Sequence, residues 1–323
     1  MAIAENEEVM VSVIIPTYNR ADIVGRAIDS VLRQTFDRYE IIVVDDGSVD
    51  DTRRVVEAGY PQVQYIYKEN GGAASARNRG ISEAKAELVA FLDADDVWFE
   101  DKLAKQVELM ASDESASLCF TDWRTIEDGR LVHASGMRGG GGFKPSGEYA
   151  YHTMIKGFGI LPSCTMVRKS LLFEHGLFNE QLPLCEDWDL FLRISAGGNV
   201  AYIDTPLIDR HTGCGNLTSR TEAWMRSSVR ITEEHMKWIT SGEMVVRDRD
   251  ASLAALGRRL LTDGERLAYI LYTSGRGAEA RRVLSRCIWR AKRLPLDVLK
   301  LLIKTIIPHK FGRKIKHIFM VNG

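Results

Sequence analysis

The sequence predicts an α/β fold with a Rossmann-like, mainly parallel central sheet, followed by a helical C-terminal appendage. Short apolar runs rich in β-branched residues alternate with segments of helical periodicity from Val11 onwards. Three aspartates stand directly after one of these runs, and a purely helical pattern begins near Thr221. A strand-helix-strand order predicts parallel strands joined by right-handed crossovers, with ligands bound at the carboxyl ends of the strands.

The chain length allows one large domain, or one domain with an appendage. It has 323 residues, of which 45% are hydrophobic, and this is enough to bury a substantial core. We predict a boundary near residue 220. Residues 1–220 would form the α/β domain, and residues 221–323 a helical region with a basic amphipathic end.

Charge is distributed unevenly along the chain. The net charge is −1, but residues 276–323 contain thirteen Lys and Arg against Glu279 and Asp297, so that this end carries +11 and the remainder −12. The basic end also contains many Leu, Ile and Phe residues, which suits binding in the plane of an anionic membrane. The alternative is a helix packed on its own domain with a solvated basic side. Nucleic acid is not expected, because no aromatic residues are interleaved with the basic ones as a stacking platform requires.

The cysteines and the chain start bear on the cellular compartment. Cys119, Cys164, Cys185, Cys214 and Cys287 are scattered and include no Cys-x-x-Cys pair, so neither a disulfide framework nor a zinc site is indicated. A reducing cytoplasm is expected. Residues 1–10 are acidic without an apolar core, which excludes a signal peptide, and no run approaches the ~20 apolar residues of a membrane span.

Strands and helices alternate regularly in the first third of the chain. Pro16 is expected to close the first strand, and Asp45 and Asp46 to follow the second. The predicted strands are 11–15, 40–44, 63–67, 88–90 and 117–121, and the predicted helices are 21–34, 50–58, 73–84 and 99–110.

The pattern weakens after residue 121. Residues 139–142 are four glycines, which predict an excursion without regular structure or, alternatively, a lid over substrate. A strand is expected after the loop at 160–164, a helix from Glu186, and a short strand at 199–203. Three helical segments are predicted in the C-terminal third, at 221–240, 253–274 and 277–292.

An acidic cluster follows the fourth strand. Asp93, Asp95 and Asp96 come directly after an apolar run, where an open α/β sheet binds its ligands. Clustered carboxylates suit a hard divalent cation, so that the cluster predicts a metal and diphosphate site. The alternative is that Asp95 and Asp96 cap the next helix while Asp93 is solvated.

A second acidic segment begins the helix at Glu186. Acidic groups in a first helical turn are favoured by the helix dipole, which is a purely structural explanation. The functional interpretation is that Asp187 is a general base directed into the cleft. Two further questions stay open at this point: whether Arg77 or Arg79 contacts a phosphate or an aspartate of the site, and whether His211 is a ligand or an ordinary histidine.

Five short motifs follow one another within about residues 11–219. They are Val13-Ile14-Ile15-Pro16-Thr17-Tyr18-Asn19, Val43-Val44-Asp45-Asp46-Gly47-Ser48, Gly71-Gly72-Ala73-Ala74-Ser75-Ala76-Arg77-Asn78, Phe91-Leu92-Asp93-Ala94-Asp95-Asp96 and Glu186-Asp187-Trp188-Asp189. Each motif alone is weak, but five in this order and spacing are specific, and together they resemble family 2 glycosyltransferases, which have the A-type nucleotide-sugar transferase fold.

The resemblance implies a role for each matching residue. Asp187 would deprotonate an acceptor hydroxyl, which attacks the anomeric carbon opposite the leaving diphosphate and inverts its configuration. A divalent cation, Mg²⁺ or Mn²⁺, would be held by Asp95 and Asp93, with His211 as a looser match. The residues implied to bind the nucleotide-sugar are Pro16, Thr17, Tyr18, Asn19, Asp46, Arg77, Asp93, Ala94, Asp95 and Glu186.

The resemblance therefore implies a metal-dependent, inverting glycosyltransferase of the hexosyltransferase type. By resemblance, it would take a UDP-sugar, modify a sugar or lipid-linked acceptor, and build cell-surface polysaccharide or glycolipid from the cytoplasmic face of the membrane. Two rivals are a sugar-nucleotide pyrophosphorylase and a catalytically silent nucleotide-sugar-binding module. The segment from Pro16 to Asn19 is not the glycine-rich basic loop of a pyrophosphorylase, and two complete acidic motifs argue against a silent module.

Overall fold

The chain folds into two compact units, Met1–Asn216 and Leu217–Gly323. The computed structural model describes residues 8–139, 146–147, 150–156, 160–212, 221–292 and 301. Gly139, the first of the four glycines in the predicted excursion, ends a short helix, whereas residues 140–142 and nearly all of the basic segment after residue 292 lie outside the described residues.

The first half of the central sheet is parallel, in the strand order β3-β2-β1-β4. The α/β class predicted from the sequence is confirmed. Its strands are β1 (Val11–Thr17), β2 (Tyr39–Asp45), β3 (Gln64–Tyr67) and β4 (Leu88–Phe91), and its helices are α1 (Val24–Leu32), α2 (Thr52–Gly59) and α3 (Ala73–Glu83).

The prediction that Pro16 closes the first strand is wrong, because β1 continues to Thr17. The carbonyl of Ile14 accepts a hydrogen bond from Leu92 on the β4 side, and Pro16, two residues on, faces the same side. Since β4 ends at Phe91, no strand there requires an N–H from Pro16. The extra length brings Thr17 opposite Asp45, so that β1 and β2 end level with one another.

Helix α3 packs closely on β1, which fixes the position of Arg77. A Cβ added to Gly80 would lie 2.4 Å from Cγ2 of Ile14, so this helix needs a glycine at the contact. Arg77 is consequently held against the carboxyl end of the sheet, with 5% of its surface exposed.

The second half of the sheet mixes directions and continues from β4 in the order β8-β6-β9-β5. β8 is antiparallel to both β4 and β6, whereas β6 and β9 are parallel. The strands are β5 (Val97–Trp98), β6 (Ala116–Glu127), β7 (Arg130–His133), β8 (Thr165–Arg168) and β9 (Asn199–Thr212), and the helices are α4 (Lys102–Ser112), α5 (Gly136–Gly139), α6 (Ala150–Ile155), α7 (Lys169–Glu174) and α8 (Glu186–Gly197).

Two strand predictions in this half are too short, and one hairpin was not predicted. β6 and β9 extend well beyond residues 117–121 and 199–203, and β6 turns into β7 through Asp128 and Gly129. Both turn residues have positive φ, at 48° and 75°. Asp-Gly is the usual sequence of such a two-residue hairpin turn, so the signal was present in the sequence.

Residues 221–292 of the second unit form the helices α9 (Thr221–Ser241), α10 (Arg249–Thr273) and α11 (Gly277–Ala291), close to the three predicted segments. Leu260, Leu271 and Leu284 belong to its buried apolar cluster. Charged residues link the helices on the outside: Arg226 on α9 lies 2.6 Å from Glu279 on α11. None of the helices in the described ranges is both long and apolar enough to cross a membrane.

Candidate active site

The acidic turn after β4 carries Asp93, Asp95 and Asp96 at the carboxyl edge of the sheet. Asp93 and Asp95 are partly exposed, whereas Asp96 is buried. Burial raises the pKa of Asp95, and the negative charge of Asp93 raises it further. Like charges held this close favour either a proton or a bound cation.

The alternative that Asp96 caps the following helix is wrong. Asp101 occupies the N-cap of α4, and its side chain makes no capping hydrogen bond. The carboxylate of Asp96 instead accepts from the Ser163 hydroxyl and from the backbone N–H of His211. Asp96 therefore belongs to the acidic turn and not to the helix.

Arg77 connects the two acidic segments that are about ninety residues apart in the sequence. Its guanidinium lies 2.7 Å from Oδ1 of Asp93 and 2.7 Å from Oε1 of Glu186. Burial opposes the charge, but these two carboxylates raise the pKa of Arg77 above its usual value. Nε of Arg77 has no hydrogen-bond partner within the described part of the chain. The acidic turn after β4 and the start of α8 thus share one site.

The surroundings of Arg79 show which of the two arginines, Arg77 or Arg79, contacts an aspartate of the site. It pairs with Glu83 at 2.8 Å, one helical turn further along α3, and half of its side chain is exposed. The two arginines therefore differ sharply in environment. Arg77 belongs to the site, and Arg79 forms an ordinary solvated pair.

Asp187 lies beside this junction in the first turn of α8. Burial and the charge of Glu186 raise its pKa to about 7, although Arg77 acts in the opposite direction. The residue before the helix, Cys185, has a positive φ of 66°, which is unusual for a side chain with a Cβ. Strain of this kind is often kept where a functional group must be directed accurately.

The residues expected to hold the nucleoside lie at the adjacent ends of β1 and β2. The hydroxyl of Thr17 is buried and lacks a hydrogen-bond partner among the described residues. Tyr18 is half exposed, and the side-chain oxygen of Asn19 accepts from the backbone of Val49. An orphaned hydroxyl at the mouth of the sheet is a hydrogen-bonding group available to a ligand.

Asp46 is already engaged by the loop that leads into α3. Its carboxylate accepts from Nζ of Lys68 at 2.7 Å and from the backbone N–H groups of Gly71 at 2.9 Å and Gly72 at 2.7 Å. A carboxylate has about four acceptor positions, so that one is left. Pro16 and Ala94, also expected to line the nucleotide site, lie in the strand and the acidic turn beside it.

Two basic residues of this site were not identified from the sequence. The guanidinium groups of Arg20 and Arg210 lie close enough to Asp95 to oppose the rise in its pKa. Both side chains are partly buried, and within the described ranges neither forms an ion pair. Arg20 directly follows the motif that ends at Asn19, and Arg210 directly precedes His211. Their positions next to predicted site residues were the available signal.

Asp93 and Asp95 have the chemistry of a cation site. Their mutual repulsion would be relieved by a divalent cation, and Mg²⁺ is commonly held by one or two carboxylates together with substrate phosphates. No group of three or more His, Cys, Asp or Glu side chains is arranged for metal binding within the described ranges. Phosphate oxygens of a substrate would therefore have to supply ligands.

His211 is not free to bind metal in this arrangement. Its Nε2 lies 2.7 Å from the guanidinium of Arg26, and its Nδ1 lies 3.2 Å from the carbonyl of Asp209. Burial and the charge of Arg26 lower its pKa. A role as ligand would require Arg26 to move, so this assignment stays a prediction.

Comparisons with known proteins agree on one family. Residues 12–176 match the family model described as glycosyl transferase family 2. An uncharacterized glycosyltransferase of Rickettsia prowazekii is 30% identical over 244 residues, covering 73% of this chain and 74% of the relative. The Escherichia coli UDP-Glc:alpha-D-GlcNAc-diphosphoundecaprenol beta-1,3-glucosyltransferase WfgD is 29% identical over 243 residues, covering 74% and 88% of the two chains.

A solved structure has the same fold. S. aureus TarS 1-349 in complex with UDP-GlcNAc superposes with a TM-score of 0.66 and 20% identity, covering 91% of this chain and 84% of that one. The similarity supports the predicted A-type fold with its helical C-terminal part.

Proposed function

This chain belongs to glycosyltransferase family 2, and from that premise we propose that it transfers a sugar from a nucleotide-diphospho-sugar to an acceptor hydroxyl with inversion at the anomeric carbon. The observation that carries the proposal is Arg77, which draws Asp93 and Glu186 to within 2.7 Å of one guanidinium. A donor-binding acidic turn and a candidate base are then part of one site.

The donor would bind along the carboxyl ends of β1, β2 and β4. The hydroxyl of Thr17 and the remaining acceptor position of Asp46 suit the nucleoside. Arg20 and Arg210 suit the diphosphate, because guanidinium groups match phosphate oxygens in geometry and charge. Their positive charge would be most favourable when the leaving diphosphate gathers negative charge, which stabilises the transition state.

Asp187 would take the proton from the acceptor hydroxyl. A carboxylate with an ordinary pKa is a weak base, and the raised pKa of Asp187 brings it close to working pH, where proton transfer is most effective. The hydroxyl oxygen then attacks the anomeric carbon as the bond to the diphosphate breaks. No covalent enzyme intermediate is needed, so that one displacement gives inversion.

Asp95 and Asp93 would hold a divalent cation, Mg²⁺ or Mn²⁺. Such an ion supplies Lewis-acid stabilisation of the departing diphosphate. Arg77 would keep Asp93 in place beside Asp95 while neutralising Glu186.

The named relatives suggest the substrate class. WfgD, by its name, transfers glucose from UDP-glucose to a GlcNAc carried on diphosphoundecaprenol, and TarS is in complex with UDP-GlcNAc. We propose a UDP-sugar donor and a lipid-linked sugar acceptor for this chain, in the synthesis of cell-surface polysaccharide at the cytoplasmic face of the membrane.

The test is a donor panel measured with the full chain. UDP-glucose, UDP-GlcNAc, UDP-galactose and GDP-mannose would be incubated with a GlcNAc-diphospholipid and MnCl₂, with EDTA as the cation-free arm. We expect product from one UDP-sugar, lost in EDTA, with inverted anomeric configuration by NMR. A product that retains the configuration would reject the single displacement, and nucleotide binding without transfer would favour the silent module.

The basic C-terminal region would bind an anionic membrane surface. In the described part, Trp289 is 75% exposed on α11 and Arg290 lies over its ring. Aromatic and basic residues together suit the interface of a bilayer. The chain should co-sediment with phosphatidylglycerol vesicles and should stay in the supernatant with phosphatidylcholine vesicles. Equal sedimentation with both would contradict an electrostatic contribution.

A further inference from the structure

Ser163 has no part in the chemistry proposed above, yet it contacts the acidic turn at two points. It lies in the short 3₁₀ turn Pro162–Cys164 before β8 and is fully buried. Its hydroxyl donates to Oδ2 of Asp96 at 2.6 Å and accepts from the backbone N–H of Asp93 at 3.0 Å. One side chain therefore fixes both ends of the turn that contains Asp95.

Asp96 extends this connection to another strand. Its Oδ1 accepts from the backbone N–H of His211 at 3.1 Å, close to the end of β9. Its own N–H donates to the carbonyl of Asp93 at 3.0 Å, which closes the turn. The result is one chain of hydrogen bonds from Asp93 through Ser163 and Asp96 to His211.

The need for a carboxylate at position 96 follows from the donors around it. Asp96 is 5% exposed, stands beside two other aspartates and forms no ion pair within the described ranges. Both of its oxygens accept a hydrogen bond, one from the Ser163 hydroxyl and one from the His211 backbone N–H, so that the two oxygens of one carboxyl group join the two elements.

We propose that Ser163 and Asp96 are positioning residues that hold the end of β9 against the acidic turn. Arg210 and His211 lie on that end of β9, and the charge of Arg210 reaches Asp95. The hydrogen-bonded chain continues the pairing of β5 with β9 by one further step, from Val97 opposite Asp209 to Asp96 and His211, and so helps to fix the distance between the carboxylates that follow β4 and the basic group of β9. In functional terms, which rest on the proposed donor site, it lets both elements contact the same diphosphate.

Hydrogen–deuterium exchange at residue resolution tests the mechanical part on the full, ligand-free chain. Ser163→Ala removes the central hydroxyl. We expect exchange about five- to tenfold faster at the Asp93 amide, which loses its acceptor, and also at the His211 amide, which Ser163 does not touch. Ser30→Ala is the matched control: its hydroxyl is also fully buried, but it donates to the carbonyl of Ala27 within α1.

An increase at Asp93 without any increase at His211 would overturn the proposal, as would the same increase at both amides in Ser30→Ala. Asp96→Ala gives an independent reading, since it removes the oxygen that accepts from the His211 amide. A double-mutant cycle should show that the effects of Ser163→Ala and Asp96→Ala on the His211 amide are not additive. Additive effects would mean that the two residues act separately.

UDP binding by calorimetry, with and without MnCl₂, tests the consequence for the site. Ser163→Ala should weaken UDP about five- to tenfold while Ser30→Ala leaves it within twofold. Unchanged UDP affinity in Ser163→Ala would overturn the positioning role. If wild-type chain binds neither UDP nor GDP, the proposed function fails, and the exchange experiment still decides whether the chain of hydrogen bonds joins the two elements.

Discussion

The two acidic segments of the site contain the same residue types in different surroundings. The turn with Asp93, Asp95 and Asp96 follows a strand, and Arg20, Arg210 and Arg77 provide positive charge near it. Asp187 at the start of α8 is half-buried beside Glu186, and desolvation together with that neighbouring charge raises its pKa to about 7. The comparison teaches that position within the fold assigns the roles: the first segment suits binding of cation and phosphate, and the second suits proton transfer.

The largest expected effect comes from the second segment. Asp187→Asn keeps the size of the side chain but removes the base, so kcat should fall by roughly 10²–10⁴. UDP affinity should change little, because the proposed donor contacts lie elsewhere. Turnover and UDP calorimetry measure the two quantities. Glu83→Gln, on α3 and away from the two acidic segments, is the control and should turn over normally. Normal turnover by Asp187→Asn would contradict the assignment of Asp187 as the general base.

The corresponding change in the first segment should affect binding as well as turnover. In Asp95→Asn, we expect kcat/KM for the donor to fall roughly 10²–10³-fold, because charge stabilisation at the leaving diphosphate is lost. UDP affinity should no longer respond to MnCl₂. If the Mn²⁺ response of this variant equalled that of the wild-type chain, the two segments would not differ as proposed.

Breaking the link between the segments should cost stability. Arg77→Met leaves Asp93 and Glu186 without their shared partner. Removal of one member of a buried ion pair costs about 3–5 kcal/mol in the free energy of unfolding, and the low end applies here because Asp93 is partly exposed. Urea denaturation measures the loss. Arg79→Met on the same helix breaks only an exposed pair and should change stability by less than about 0.5 kcal/mol. Equal losses of stability in Arg77→Met and Arg79→Met would contradict the conclusion that Arg77 links the two acidic segments.

The last expected effect concerns the second segment alone and is on the pH dependence of stability. Since the folded state holds the proton of Asp187 more tightly than the unfolded state, wild-type stability should decline between about pH 4 and pH 7 through this group. Asp187→Asn lacks the group, so its Tm relative to wild type should rise over that range and level off above it. A constant Tm difference would mean that Asp187 has an ordinary pKa.

The sequence predicted the parallel half of the sheet better than the mixed half, for a physical reason. Strands such as Val11–Thr17 are buried on both faces and therefore appear as continuous apolar runs. β5 has only two residues, Val97 and Trp98, and exists because β9 pairs with it. Pairing between distant segments leaves no local signal, and neither does the extension of β9 past Ile203.

The candidate site shows the same division. The positions of Asp93, Asp95 and Asp187 followed from motifs and strand ends, but their partners did not. Pairing of Arg77 with Glu186 depends on the approach of α8 to α3, and the link from Ser163 to Asp96 depends on β8 lying beside β4. Arg20 and Arg210 were detectable only as cations beside predicted residues, which is too common a feature to be diagnostic alone.

The pH dependence of kcat/KM in wild-type chain and in Asp187→Asn is the most direct test that the second acidic segment supplies the base. Wild-type kcat/KM should fall tenfold per pH unit below a pKa near 7, because only the ionised carboxylate accepts the proton. The residual activity of Asp187→Asn should lack that dependence. An identical acidic limb in both proteins would contradict the account.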